Sequence, residues 1–318
     1  MNFNIIFFSA ILLDSILGDS IKITHPVVLI GRLINLFEKI FSRRNFLNGF
    51  LICIFTIMIS GLTAGFFLYV FENTLLKFIL KVYMLYTALA WRDLKDETKP
   101  IYEKLIQKDL VNARKFLSRV VGRDTENLNQ TEISRAAIET ISENSVDGIF
   151  SVMFWACIGN FLNQDYGAYI FVWIFKAAST LDSMLGYERN GDFGFTSAKL
   201  DDVLNFIPAR IGGVIIILAG EFFCKDYNLK KAFRIFMLDR KKHKSPNSAH
   251  GESAFAAVLN VKLGGGAFYN NIFQPREFLG DTDSKAPQAF DILRAQKLLD
   301  ISSSIFAIFI FIFNYMLK

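Results

Sequence analysis

Between Phe46 and Phe71 the chain runs through an apolar stretch long enough to cross a bilayer, with Gly49, Gly61 and Gly65 inside it. A spanning helix needs about 20 mostly apolar residues, and its backbone groups must be satisfied within the segment. That single stretch limits the chain to a membrane fold. Others reinforce it. Leu75–Ala90 is shorter and carries Lys77 and Lys81, and Ile149–Leu162 and Tyr166–Ala178 flank Asn163-Gln164-Asp165. Val203–Cys224 contains Pro208 and Arg210, and Ile301–Leu317 closes the chain. Hydrophobic residues make up 52% of the 318, with 34 Phe, while charged residues reach only 20%, low for a soluble enzyme of this length. The expectation is one polytopic integral membrane domain over 1–318, all-α, read as a helical bundle.

The opening segment MNFNIIFFSAILLDSILGDS lacks a basic start and a small-residue cleavage site, and reads as a retained first helix. Cys53, Cys157 and Cys224 lie within or at the end of apolar segments and suggest neither a disulfide nor a metal knuckle. Basic residues cluster at Arg32, Lys39, Arg43 and Arg44, and again from Lys225 to Lys244. The positive-inside bias puts both groups in the cytoplasm. Because they flank membrane segments without aromatic interleaving, nucleic acid is not an expected partner.

Two polar excursions, about 91–148 and 225–300, are long enough to fold as mostly helical cytoplasmic lobes. In the first, helical apolar spacing runs on both sides of Gly122-Arg123-Asp124-Thr125. Almost nothing in either reads as an alternating strand. The topology does not close evenly: either one short apolar segment is re-entrant, or Pro208 and Arg210 mark a broken helix.

The strongest chemical signal is in AAIETISENSVDG. Glu139, Glu143 and Asp147 stand four residues apart, which stacks them on one face of a helix at the mouth of an apolar segment. This is either a solvated face or a site for a hard cation or cationic substrate. Gly122 and Arg123 form either a phosphate-gripping turn or an ordinary helix–helix turn. Lys262 with Gly264, Gly265 and Gly266 is a second phosphate cradle or a hinge, and it lacks the P-loop pattern. His243, among Arg240, Lys241, Lys242 and Lys244, is expected to disfavour its charged form. Asp14, His25, Arg92, Asp182, Tyr187 and Asp202 each end an apolar segment, and are expected to meet the acidic stripe in one cytoplasm-facing pocket.

Taken together and in order, ILLDSILGDS, HPVVLIGRLI, WRDL, SRVVGRDT, AAIETISENSVDG, STLDSMLGY, FTSAKLDDVLNFIPARI, DRKKHKSPNSAHGESAFAAVLNVKLGGG and FLGD resemble the adenosylcobinamide-phosphate synthase family of cobalamin biosynthesis, called CbiB or CobD. The likeness spans about residues 10 to 300. It departs mildly at the serine of ISENSVDG, where threonine is expected, and at Ser248-Ala249-His250.

The resemblance implies an ATP-dependent amide ligase of the inner membrane. It would join a propionate carboxylate of adenosylcobyric acid to aminopropanol or its phosphate, with its active site facing the cytoplasm. It further implies Mg²⁺ on Glu139, Glu143 and Asp147, and phosphates clamped by Arg119 and Arg123. The general base would be His25, Asp182 or Asp202, and Trp91, Tyr187 or Tyr269 would stack on the corrinoid. Partners implied are the corrinoid, the small amine, the lipid bilayer and other enzymes of the pathway. A transporter, or a non-enzymatic membrane sensor of the same superfamily, is the alternative.

Overall fold

A computed structural model describes residues 2–18, 25–71, 73–186, 190–225 and 227–316. The elements are α1 (Phe3–Leu17), α2 (Pro26–Ile40), α3 (Phe46–Val70), α4 (Thr74–Tyr86), α5 (Trp91–Ile106), α6 (Leu110–Leu117) and α7 (Gln130–Ser145), then a π-helical turn (Val146–Phe150). They continue through α8 (Ser151–Leu162), α9 (Gly167–Leu185), α10 (Asp192–Phe223), α11 (Leu229–Asp239) and α12 (Ser248–Leu259). Four short strands follow, β1 (Leu263–Gly264), β2 (Ala267–Tyr269), β3 (Ile272–Gln274) and β4 (Phe278–Leu279), and α13 (Ala289–Met316) ends the chain.

Among the described residues six helical stretches are long and apolar enough to cross a membrane: Phe46–Val70, Thr74–Ile106, Gln130–Leu162, Gly167–Leu185, Asp192–Phe223 and Ala289–Met316. Their outer faces carry exposed apolar side chains such as Leu62, Phe66 and Tyr69 on α3, more than a water-facing surface tolerates. The protein is an all-α, multi-pass membrane protein.

The chain divides into two compact units. The first takes Met1–Arg92, Ser151–Asn205 and Ile310–Lys318. Here α9 packs on α8, α3 and α2, around buried Tyr169, Phe175, Ile52 and Leu68. Lys81, nearly fully buried, lies with its ammonium 5.4 Å from the centre of the Tyr169 ring, so a cation–π contact accompanies its burial in an apolar helix. Asn160 donates to the Asn314 side chain at 2.9 Å, a polar cross-link between apolar helices.

Of the two alternatives left by the sequence, the broken helix at Pro208 does not occur, since α10 is continuous from Asp192 to Phe223. Proline lacks an N–H and so leaves the carbonyl four residues earlier, on Leu204, without its helical donor. The indole Nε1 of Trp155 donates to that carbonyl at 3.2 Å. The missing hydrogen bond is replaced from a neighbouring helix, and the helix runs on.

The second unit takes Asp93–Phe150 and Phe206–Phe309. Its core includes Ile133, Ile138, Ile141, Phe150, Phe255, Leu298 and Phe306, with Phe150 and Phe306 edge to face at 5.5 Å. It also holds two small antiparallel ladders, β1 with β4 and β2 with β3. Strands of two or three residues leave no alternation to read, so none was legible from the residues alone. Helices α7 and α12 meet closely because position 251 has no side chain: a Cβ on Gly251 would stand 2.5 Å from the Ser142 carbonyl oxygen. The contact sets the spacing between the two helices that carry the charged cluster described next.

Gly251→Ala is therefore expected to destabilise the protein by about 1–3 kcal/mol, as forced overpacking does. The readout is the thermal unfolding midpoint of purified protein in detergent. Ala256→Gly in the same helix, which removes a side chain rather than adding one, serves as the comparison.

Candidate functional site

The capping box that starts α7 fixes its register: Asn129 accepts from the Glu132 N–H, and the Glu132 carboxylate accepts from the Asn129 N–H. From that start the helix delivers Glu139 into the interior, only 3% exposed, which excludes a solvated face at that position. Glu143 is half-buried, and Asp147 follows inside the π-turn rather than on the α-helix proper.

The two segments that sequence reading offered as rival phosphate cradles converge on Glu139. Arg123 Nη1 approaches its Oε2 at 2.6 Å, and the Gly264 N–H donates to its Oε1 at 2.7 Å. Gly264 takes φ +78°, and a Cβ there would stand 2.2 Å from the Glu277 carbonyl oxygen, so no other residue fits without distortion. The Gly122-Arg123-Asp124 turn is anchored to the β2–β3 hairpin. The Asp124 carboxylate accepts from the Asn270 and Asn271 N–H groups at 3.1 and 2.7 Å, while its own N–H donates to Phe268. Both asparagines have positive φ, the conformation a tight hairpin requires.

Three further groups complete the cluster. Ser248 donates to Glu143 at 3.0 Å. Arg276 donates to the Tyr269 hydroxyl at 3.1 Å. Glu252, on α12, is 2% exposed, and its Oε1 has no hydrogen-bond partner among the described residues. Burial raises its pKa well above 4.5, and the nearby charges of Glu139 and Glu143 push the same way against the opposing pull of Arg276 and Arg123. For Arg123, burial opposes the charge, but Glu139 and Tyr269 outweigh it and hold the guanidinium above its ordinary value. His243 is lowered, as expected from the sequence, but for a different reason. Burial comes first and Arg276 second, with Glu143 and Glu139 opposing them.

The remaining expected site residues make contacts of their own. Arg119 is exposed and stacks on Phe116, with 4.8 Å from its guanidinium carbon to the ring centre. Gly122 is exposed, and Gly265 follows Gly264 with φ +84°. The Lys262 ammonium sits 5.4 Å from the Phe278 ring centre. Asp14, His25, Arg92, Asp182 and Asp202 belong to the first unit. There Asp14, almost fully buried, accepts from the Arg92 backbone N–H at 3.1 Å, which joins the ends of α1 and α5. His25 caps α2 through Nδ1, Asp202 pairs with Lys199 at 3.2 Å, and Asp182 sits in the last turn of α9. Tyr187 lies outside the described residues. Among the described residues, no three or more His, Cys, Asp or Glu side chains gather into a group able to hold a metal ion.

Comparison with known proteins places this arrangement in a family. The model for the CobD/Cbib protein family matches residues 7–299, and the chain belongs to that family. It is 38% identical to the cobalamin biosynthesis protein CobD of Clostridium perfringens, over 92% of this chain and 91% of that protein. It is 37% identical to the protein of that name from Leptospira interrogans, over 94% of each chain, and 36% identical to that of Desulfotalea psychrophila, over 99% of each. No solved structure matches it. The family assigns the chain a role in cobalamin biosynthesis.

Removing one partner of a desolvated ion pair strands the other, at a cost of about 3–5 kcal/mol. Arg123→Met and Glu139→Gln should each destabilise strongly, and the double variant should cost clearly less than their sum, as read from denaturation in detergent. Glu252 gives a pH signature. Its folded-state proton affinity exceeds the unfolded one, so the native state has no handicap below the ordinary pKa of 4.5 and acquires one as pH rises above it. Glu252→Gln, which keeps the neutral shape, should raise the unfolding midpoint at pH 8 and change it little at pH 4.

Proposed function

We propose that this chain is the ATP-dependent amide ligase that joins the propionate carboxylate of adenosylcobyric acid to aminopropanol or its O-phosphate. The product is adenosylcobinamide or its phosphate. Membership of a cobalamin-biosynthesis family supports the pathway. The observation that carries the reaction type is the desolvated cluster of Arg123, Arg276, Glu139, Glu143 and Glu252 beside the Gly264 backbone N–H.

Amide formation in water needs an activated carboxylate, and ATP supplies that activation when bound. The demands on the protein are then electrostatic. Arg123 and Arg276 offer guanidinium forks, the donor geometry suited to phosphate oxygens. The Gly264 to Gly266 segment, with positive φ throughout, lies beside Glu139, with the Gly264 N–H given to that carboxylate and the Gly265 N–H to the Glu277 carbonyl. With few water molecules to screen them, the guanidinium donors act strongly on charge that develops during transfer.

Magnesium normally takes one or two protein carboxylates and completes its shell with phosphate and water. Glu143 and Glu252 fit that demand, since Glu252 Oε1 is buried without a partner among the described residues, whereas Glu139 is already committed to Arg123 and Gly264. Asp147, the third carboxylate expected from the sequence, does not gather with them into a group of three. For the proton of the attacking amine, Asp182 and Asp202 are the candidate bases that the family resemblance implies, and His25 is less suited because its Nδ1 caps α2. The active site is taken to face the cytoplasm, on the side of the basic segment from Lys225 to Lys244.

Purified protein in detergent is to be incubated with ATP, Mg²⁺, adenosylcobyric acid and aminopropanol or its phosphate, and the amide sought by mass spectrometry. Formation of the amide with matching ADP release is the expected result. Arg123→Lys should lower kcat/KM by roughly 10–100-fold, because it keeps the charge and loses the fork. Absence of product with both amines, from protein that retains its unfolding midpoint, refutes the ligase and favours a transporter or sensor.

A further inference from the structure

Within the second unit lies a cavity of about 540 Å³ that the charged cluster does not use. It opens where α10 ends and α13 begins, the polar ends of two candidate spans. Among the described residues Lys231, Lys285 and Arg294 line it beside one carboxylate, Asp291. Lys231 is tied to Asp281 at 2.7 Å and Arg294 to Asp291 at 2.6 Å. Lys285 is exposed and makes no ion pair among the described residues.

The apolar half of the lining includes Tyr227 and Phe290. Phe290 is 60% exposed and Phe222, at the end of α10, 75% exposed, at the level where aromatic side chains anchor a span in the interface. Phe223 receives the Arg294 guanidinium at 5.5 Å and the Lys297 ammonium at 5.9 Å from its ring centre, which holds two cations at that same level.

We propose that this cavity binds the headgroup of an anionic phospholipid, with Lys285 as its principal phosphate contact. Three observations favour a lipid over a soluble phosphate ester. The cavity sits at span ends, its rim carries exposed phenyl rings suited to acyl chains, and its basic lining matches the negative charge of a phosphatidylglycerol surface. The reading is independent of the ligase proposal, because none of these residues belongs to the charged cluster.

The test uses the full chain in neutral detergent, mixed with equal amounts of phosphatidylglycerol and phosphatidylcholine and examined by native mass spectrometry. Wild type should retain phosphatidylglycerol in clear preference. Lys285→Gln should reduce that preference by about fivefold, as expected for loss of one basic contact near a lipid surface. Ala286→Trp, an exposed position on the lining, should reduce it by obstruction without altering charge. Both variants should keep the wild-type unfolding midpoint in phosphatidylcholine, which separates lost binding from lost folding. ATP and glycerol 3-phosphate at millimolar concentration should not displace the lipid. Equal retention of the two lipids, a preference unchanged in both variants, or displacement by either soluble phosphate overturns the proposal.

Discussion

Glu139 holds the second unit's chemistry together. Its two oxygens take an arginine from a turn before α7 and a backbone N–H from a glycine segment after α12. Neither donor could be left in the interior alone, since a buried guanidinium without a counter-ion and a buried amide without an acceptor both cost free energy. One carboxylate satisfies both, and in doing so joins segments about 140 residues apart in sequence. The Asp124 bonds to the β2–β3 hairpin and the close contact at Gly251 stiffen the frame around it.

The membrane segments were legible because spanning length and composition are local properties. Phe46–Val70 stands out from the sequence alone, and the structure extends Ile149–Leu162 back through α7 because the stripe before it is helical too. The burial of Glu139 was not local information. The four-residue spacing gave the helical face, but only the packing of α12 and β1 against α7 says that this face looks inward. Sequence distance likewise hid the meeting of Arg123 and the glycine run at Glu139.

Glu252 was overlooked although its surroundings carried a signal. A single carboxylate in GESAFAAVL, among alanines and a phenylalanine, sits where an exposed helix would place more polar residues. Weighing it would have pointed to a buried acid. Pro208 misled in the opposite sense. Read alone it breaks a helix, and nothing in the local sequence shows that a tryptophan fifty-three residues earlier supplies the missing donor to Leu204.

Charge balance in the cluster has a last consequence for traffic through it. Glu139, Glu143 and Glu252 face Arg123 and Arg276, three acids against two bases. Because burial and the neighbouring acids favour the proton on Glu252, the cluster carries less negative charge than its three carboxylates suggest. A further anion placed beside Arg123 would have to displace the carboxylate that the guanidinium already holds, or bring its own countercharge. The ion pair thus weighs against a bare anion and in favour of one that travels with a cation.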